Sequence, residues 1–141
     1  MTIEIKSAVE MYHQACLAEE KGQMDIAELY YLKSRALFEK ASETSEPQYL
    51  NAANALNSLA FLRWSRKDYE GALRSAKESA KIMETYGVQF TNMDADFIRS
   101  TSCELIDQIQ YEISLISTAP SERSNFQSLP TDTQRFLMAA C

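Results

Sequence analysis

The chain contains the stretch Gly22-Gln23-Met24-Asp25-Ile26-Ala27, and a related stretch, Lys67-Asp68-Tyr69-Glu70-Gly71-Ala72, follows 45 positions later. In both places a short break separates two segments whose apolar residues recur every three or four positions, the spacing of one face of an α-helix. A break this short makes the flanking helices antiparallel neighbours. The sequence therefore predicts two helical hairpins built on one plan.

On either side of these breaks, apolar spacing predicts five helices, over about 7–21, 24–42, 46–66, 69–86 and 91–117. Ser7 with Glu10, and Thr91 with Asp94, have the spacing of capping boxes at helix starts. Pro47 suits a first helical turn. Only three Gly and three Pro occur in 141 residues, too few for the turns of a sheet. The predicted fold class is all-α.

The 45-residue offset also brings small residues into register. Small side chains at matching places let the two helices of a hairpin approach closely. The matched pairs are Ala15 with Ala60, Ala27 with Ala72, and Ser34 with Ser79. We expect all three pairs at contacts between helices.

This pattern resembles the tetratricopeptide repeat, in which helix A carries a small residue and helix B an early Ala. Leu56, Leu59, Ala60, Tyr69 and Ala72 stand at the corresponding family positions, whereas Gln14 replaces the Leu of the first repeat. The run Pro47…Ala53…Leu56-Asn57-Ser58-Leu59-Ala60 is similar to the long variety found in kinesin light chains. The resemblance covers roughly residues 8 to 86. It implies an α-solenoid of two hairpins plus a C-terminal capping helix.

The resemblance also implies a site, because the family lines its inner groove with residues of helix A. Carried over, these are Val9, Tyr12, Cys16 and Glu19 of the first repeat and Asn54, Asn57, Phe61 and Trp64 of the second. An Asn amide can donate to and accept from a peptide backbone, and an aromatic neighbour offers apolar area to an anchor side chain. The implied partner is a protein or an extended or helical peptide.

An alternative interpretation of this stripe is that Phe61 and Trp64 pack against the fifth helix. The carboxylate clamp that some members carry is not expected, since Tyr12 and Cys16 stand where it needs Lys and Asn. We therefore do not expect a partner to be held by its C-terminal carboxylate.

The sequence does not predict a catalytic site or a metal site. His13 lies three residues before Cys16, but a metal site needs further ligands that the sequence does not supply. No phosphate-binding loop or hydrolase motif occurs. We expect no catalytic residue, no metal and no cofactor, and we expect a protein that is not an enzyme.

The charge and the cysteine content limit which partners and which cellular compartment we expect. The formal charge is −6, and the densest basic group, Arg63, Arg66 and Lys67, is too small for a nucleic-acid surface. No run of eighteen apolar residues predicts a membrane span. Three distant cysteines do not suggest a disulfide framework. These features favour a reduced, cytoplasmic setting.

Two regions are predicted along the chain, a helical repeat domain over 1–118 and a polar tail over 119–141 with a short helix from Thr131 to Ala140. Two and a half repeats supply a marginal core. We therefore expect the tail or a second copy of the chain to add to it, which makes a homo-oligomer an expectation. The alternative function is a self-assembling or regulatory subunit that uses an exposed apolar edge of the last long helix.

Overall fold

A computed structural model of the chain describes residues 3–44, 48–86 and 93–117, and these residues form five α-helices with no strand among them. The helices are α1 (Ile3–Glu20), α2 (Met24–Thr44), α3 (Tyr49–Ser65), α4 (Tyr69–Tyr86) and α5 (Met93–Ile116). The predicted all-α class is confirmed. The short helix predicted from Thr131 to Ala140 lies outside the described residues.

The first helix starts earlier than the sequence predicted. It begins at Ile3, and Ser7 lies one turn inside it. The extra turn is held by apolar packing, because Ile5 and Ala8 are both buried. The predicted capping box of Ser7 and Glu10 is therefore wrong as a helix start.

Two other helix starts show how local chemistry sets the ends. α3 begins at Tyr49, about three residues later than predicted. α4 begins at Tyr69 as predicted, because Asp68 Oδ1 accepts a hydrogen bond from Gly71 N at 3.1 Å. That bond satisfies one of the backbone donors that a helix leaves unpaired at its first turn. The capping partner predicted for α5, Thr91, lies outside the described residues.

The turns inside the two hairpins share one backbone geometry. Gly22 and Lys67 both adopt left-handed φ angles, 75° and 66°. Each turn also closes the helix before it with a bond spanning five residues, the arrangement of a Schellman cap. The equivalent bonds are Gln23 N to Ala18 O and Asp68 N to Arg63 O, both 2.8 Å. The two predicted breaks therefore form the same structure, 45 positions apart.

The main contacts join each helix to the next one in the chain, and α5 also contacts α3. The first hairpin meets the second through α2 and α3, where Tyr31 packs with Leu59 and Leu62. Ion pairs cross the same contact. Arg63 Nε lies 2.5 Å from Glu28 Oε1, and Arg66 Nη2 lies 2.6 Å from Asp25 Oδ1. Arg63 and Arg66, two of the three residues in the basic group, thus join α3 to α2 through ion pairs.

The outer face of α1 differs from the matching face of α3. Ala55 and Leu59 of α3 are buried, whereas Glu10 and Gln14 stand at the corresponding places in α1. Gln14 Nε2 donates to Glu10 Oε1 at 2.9 Å on the exposed surface. α1 thus carries the polar Gln14 at the place where α3 carries the buried Leu59.

None of the described helices combines the length and the apolar character needed to cross a bilayer.

Candidate binding groove

A groove of about 180 Å³ opens between α1 and α3. Val9 and Tyr12 line it from α1, Asn51 and Asn54 from α3, and Phe38 from α2. Each pair is three residues apart on its helix, so both of its side chains face the same side. The groove forms where these residues of α1 and α3 face one another, and α2 contributes Phe38 to it.

The floor and walls of the groove differ in character. Phe38 is buried and Val9 is half-buried, and both pack in one cluster with Ala8 and Ala52. The α3 wall is polar, because it carries the amides of Asn51 and Asn54. An apolar floor beside a polar wall suits a guest with an apolar side chain and a polar backbone.

Tyr12 is held in place at the edge of the groove. Its hydroxyl lies 2.8 Å from Ser58 Oγ, and Asn54 Nδ2 donates to the same hydroxyl at 3.5 Å. Its ring meets the Tyr31 ring edge to face, with centroids 5.5 Å apart. Contacts from α2 and α3 thus fix the side chain of Tyr12.

The amide oxygens of the α3 wall remain available. Asn51 Nδ2 donates to Gln48 Oε1 at 2.7 Å, and Asn54 uses its nitrogen for Tyr12. Within the described residues, neither Asn51 Oδ1 nor Asn54 Oδ1 accepts a hydrogen bond. Two oxygen atoms on this wall can therefore accept hydrogen bonds from N–H donors.

The volume of the groove limits what it can hold. Sites for small molecules enclose about 300–1,000 Å³, and this groove measures about 180 Å³. An apolar space of this size accommodates a group as large as one aromatic ring. The groove therefore fits one side chain of a partner better than a whole metabolite.

Of the eight residues that the resemblance implied for a groove, Val9, Tyr12 and Asn54 line this one. Cys16 does not, since it is 5% exposed, and its Sγ lies 3.7 Å from Tyr31 Oη. The prediction that Cys16 is accessible is wrong, because α2 covers this residue. Glu19 is half-buried further along α1, where its Oε1 accepts a hydrogen bond from Tyr31 Oη at 2.9 Å.

Asn57 was predicted to face a partner, and that placement is wrong. The residue is 3% exposed, and α5 covers it. Asn57 Nδ2 donates to Ile98 O at 3.2 Å, and Asn57 Oδ1 lies 2.9 Å from Ser102 Oγ. Its amide therefore joins α3 to α5 and is not presented to solvent.

Trp64 follows the alternative interpretation, in which it packs against the fifth helix. It is 5% exposed and lies in one cluster with Leu105 and Ile109 of α5. Phe61 is half-buried against the same cluster, with its ring centroid 6.0 Å from that of Trp64. The predicted open position of Trp64 is wrong, because α5 lies over the C-terminal half of α3.

Asn51 and Phe38 were missing from the predicted set. Asn51 could have been found, because it stands one turn before Asn54 on the same face of α3. Phe38 could not, because it comes from α2 and reaches the groove only through the packing of three helices.

Burial changes the chemistry of Glu19. Loss of solvent around its carboxylate raises the pKa above the usual 4.5, and the hydrogen bond from Tyr31 opposes this by stabilising the charged form. The balance is a raised pKa. The hydrogen bond from Tyr31 therefore offsets only part of the cost of removing water from the Glu19 carboxylate.

No protein-family model matches the chain, and neither the curated proteins nor the solved structures contain a match.

Proposed function

We propose that this chain is a protein–protein interaction module, and not an enzyme, that binds a peptide segment of a partner in the groove between α1 and α3. The observation that carries this proposal is the groove's composition. An apolar floor of Val9 and Phe38 lies beside two amide oxygens, of Asn51 and Asn54, that accept no hydrogen bond from the described residues.

The proposal includes a fold, an α-solenoid resembling the tetratricopeptide repeat. Three observations support it. The turns at Gly22 and Lys67 repeat one geometry, and the main contacts follow the order of the chain. The outer face of α1 carries the polar pair of Glu10 and Gln14, and polar outer faces are a feature of the end units of repeat arrays.

In the proposed complex, one apolar side chain of the partner enters the groove and packs on Phe38. The amide oxygens of Asn51 and Asn54 accept backbone N–H groups of the same segment. Burial of the side chain contributes about 1.5–3 kcal/mol, and each hydrogen bond adds about 0.5–1.5 kcal/mol. These contributions reach about 6 kcal/mol at most, less than the ~8 kcal/mol of micromolar binding. The partner must therefore make further contacts outside the groove.

The experiment is a selection of random twelve-residue peptides displayed on phage against the immobilised chain. Asn54→Arg places a long charged side chain in the groove. Gln110→Arg adds the same group to an exposed position of α5 and serves as the control. We expect peptides selected on the native chain to bind the control variant and to lose at least tenfold in affinity for Asn54→Arg. Equal affinity for both variants would refute the groove as the site.

The second candidate is a self-assembling or regulatory subunit. Tyr111 and Ile116 are both 45% exposed on α5, which favours an apolar contact there. Light scattering distinguishes the two proposals. A dimer that Tyr111→Ser dissociates, and that Leu29→Ser on the exposed face of α2 leaves intact, would support the subunit.

A further inference from the structure

Glu112 is a carboxylate that the fold buries near the C-terminal end of α5. Of the charged residues that the structure describes, it alone is buried, at 4% exposure. Within the described part of the chain, no ion pair and no hydrogen bond includes its carboxylate. Burial raises its pKa above the usual 4.5, because the charged form loses water. Proteins normally pair a buried charge with an opposite one, so Glu112 points to a ligand that brings a positive charge.

An aromatic ring of α4 lies near this carboxylate. Burial raises the pKa of the Tyr69 hydroxyl, and the negative charge of Glu112 raises it further, which shows that the two groups are near each other. Tyr69 is half-buried against the cluster that contains Trp64 and Ile109. Ile109 stands three residues before Glu112 on the same side of α5. The carboxylate of α5 and the ring of α4 therefore border one small region beyond the end of α3.

A ligand can approach Glu112 from the end of α5. Gln108 and Ile116 stand four residues before and after it, on the same face of the helix. Gln108 is half-buried and Ile116 is 45% exposed, so Glu112 lies deeper than either neighbour. One helical turn, about 6 Å, separates Ile116 from Glu112. The long stem of a basic side chain can lie along this turn and bring its charged head to the carboxylate.

The charges around this region also favour a cation. α5 carries five carboxylates and one arginine, Arg99, which pairs with Asp96. Arg63 and Arg66, the arginines near the end of α3, pair with carboxylates of α2. The helix that carries Glu112 therefore has a negative net charge, and a positively charged ligand is favoured over a negatively charged one.

We propose that this end of α5 binds the guanidinium group of an arginine, with Glu112 as its counter-ion and the ring of Tyr69 as its stacking surface. A guanidinium donates two hydrogen bonds to one carboxylate, stacks on aromatic rings and loses water more readily than an ammonium does. The arginine comes from a partner protein or from Arg123 or Arg135, which follow α5 in the chain. The site lies beyond the end of α3, whereas the groove lies near the start of that helix, so the inference does not depend on the proposed function.

The test is an NMR titration of the isotope-labelled chain with ethylguanidinium chloride, with sodium chloride as the reference for ionic strength. Millimolar concentrations are used, far below the molar range in which guanidinium salts unfold proteins. The native chain is compared with Glu112→Gln and Asp107→Asn. Gln keeps the size of Glu112, and Asp107→Asn removes one exposed carboxylate of the same helix, so the two variants are matched in charge. The signals followed are the indole N–H of Trp64 and the backbone amides of Tyr69 and residue 112.

The double variant Arg123→Gln/Arg135→Gln shows where the arginine comes from. If a partner supplies it, the native chain and the double variant should bind ethylguanidinium equally, with saturable shifts at Tyr69 and residue 112. If the chain supplies it, the double variant should bind the probe at least tenfold more tightly than the native chain. In either case Asp107→Asn should leave binding unchanged, Glu112→Gln should weaken it at least tenfold, and ethylammonium chloride should bind more weakly than ethylguanidinium chloride.

Two results would overturn the site. The first is that neither the native chain nor the double variant binds ethylguanidinium saturably, which would mean that Glu112 takes up a proton and not a cation. The second is that Glu112→Gln binds the probe as tightly as Asp107→Asn does, which would mean that the carboxylate is not the counter-ion. Neither result bears on the groove between α1 and α3.

Discussion

Ser34 and Ser79 make the same hydrogen bond in the two halves of the molecule. Ser34 Oγ donates to Ala8 O at 2.8 Å, and Ser79 Oγ donates to Ala53 O at 3.0 Å, each bond spanning 26 residues. Both serines are fully buried. A small hydroxyl between α2 and α1, and again between α4 and α3, ties the second helix of each hairpin to the backbone of the first.

Replacing either serine by Ala should destabilise the fold. We expect Ser34→Ala to lower the free energy of unfolding by about 1 kcal/mol, because one buried hydrogen bond is lost. Ser79→Ala should cost more, since Ser79 Oγ also lies 2.9 Å from Ser102 Oγ. Urea denaturation followed by circular dichroism measures both values. Ser100→Ala, at an exposed place on α5, is the control, and a loss there as large as at Ser34 would contradict the account.

Substitutions at the two left-handed positions, Gly22 and Lys67, should change the stability of the fold in opposite directions. Gly22→Ala forces a side chain into a φ of 75°, and nothing lies within 4 Å of the added Cβ, so the cost is conformational, about 1–2 kcal/mol. Lys67→Gly removes the same strain and should raise the midpoint of thermal unfolding. Unfolding curves in which both variants are destabilised would show that the two turns are not equivalent.

Trp64 should act as a packing residue. We expect Trp64→Ala to lower the free energy of unfolding by about 3–5 kcal/mol, because its ring fills the space against Leu105 and Ile109. Denaturant titration measures the loss. Tyr111→Ala, at a half-exposed place on α5, should cost under ~1 kcal/mol. A neutral Trp64→Ala would mean that α5 does not cover α3 in solution.

Glu19 should make stability depend on pH. Its pKa is raised in the folded state above 4.5, so the folded chain binds its proton more tightly than the unfolded chain does. The resulting stabilisation is complete below about pH 4.5 and is lost as pH rises through the folded pKa. Glu19→Gln should therefore be more stable than the native chain at pH 7 and lose that advantage below pH 4.5. Melting temperatures at both pH values measure this, with Glu20→Gln as the control.

The hairpins were predictable because their signals are local. The turns at Gly22 and Lys67, the helical spacing around them and the buried Ala15 and Ala60 all depend on residues close in the chain or on one face of a helix. The position of α5 was not predictable in the same way. Its stripe of Ile98, Leu105 and Ile109 predicts a buried face, but helical periodicity does not say which helix covers that face.

The residues of the candidate site likewise divide into those that local signals predict and those that depend on contacts with distant helices. Tyr12 and Asn54, which were predicted to share a groove, both line the groove between α1 and α3. Asn57 was predicted wrongly, because an Asn on a helix is usually exposed, and only the approach of Ile98 and Ser102 from α5 gives its amide buried partners. Phe38 was missed because the groove is made by three helices and not by one stripe.

NMR can show whether the groove between α1 and α3 holds a peptide. The isotope-labelled chain is titrated with the tightest peptide from the selection, and shifts of backbone and Asn side-chain amides are followed. We expect the largest changes at Val9, Tyr12, Asn51 and Asn54, including both side-chain amides. Saturable binding that leaves these four unchanged and moves only α4 and α5 would contradict the proposed site.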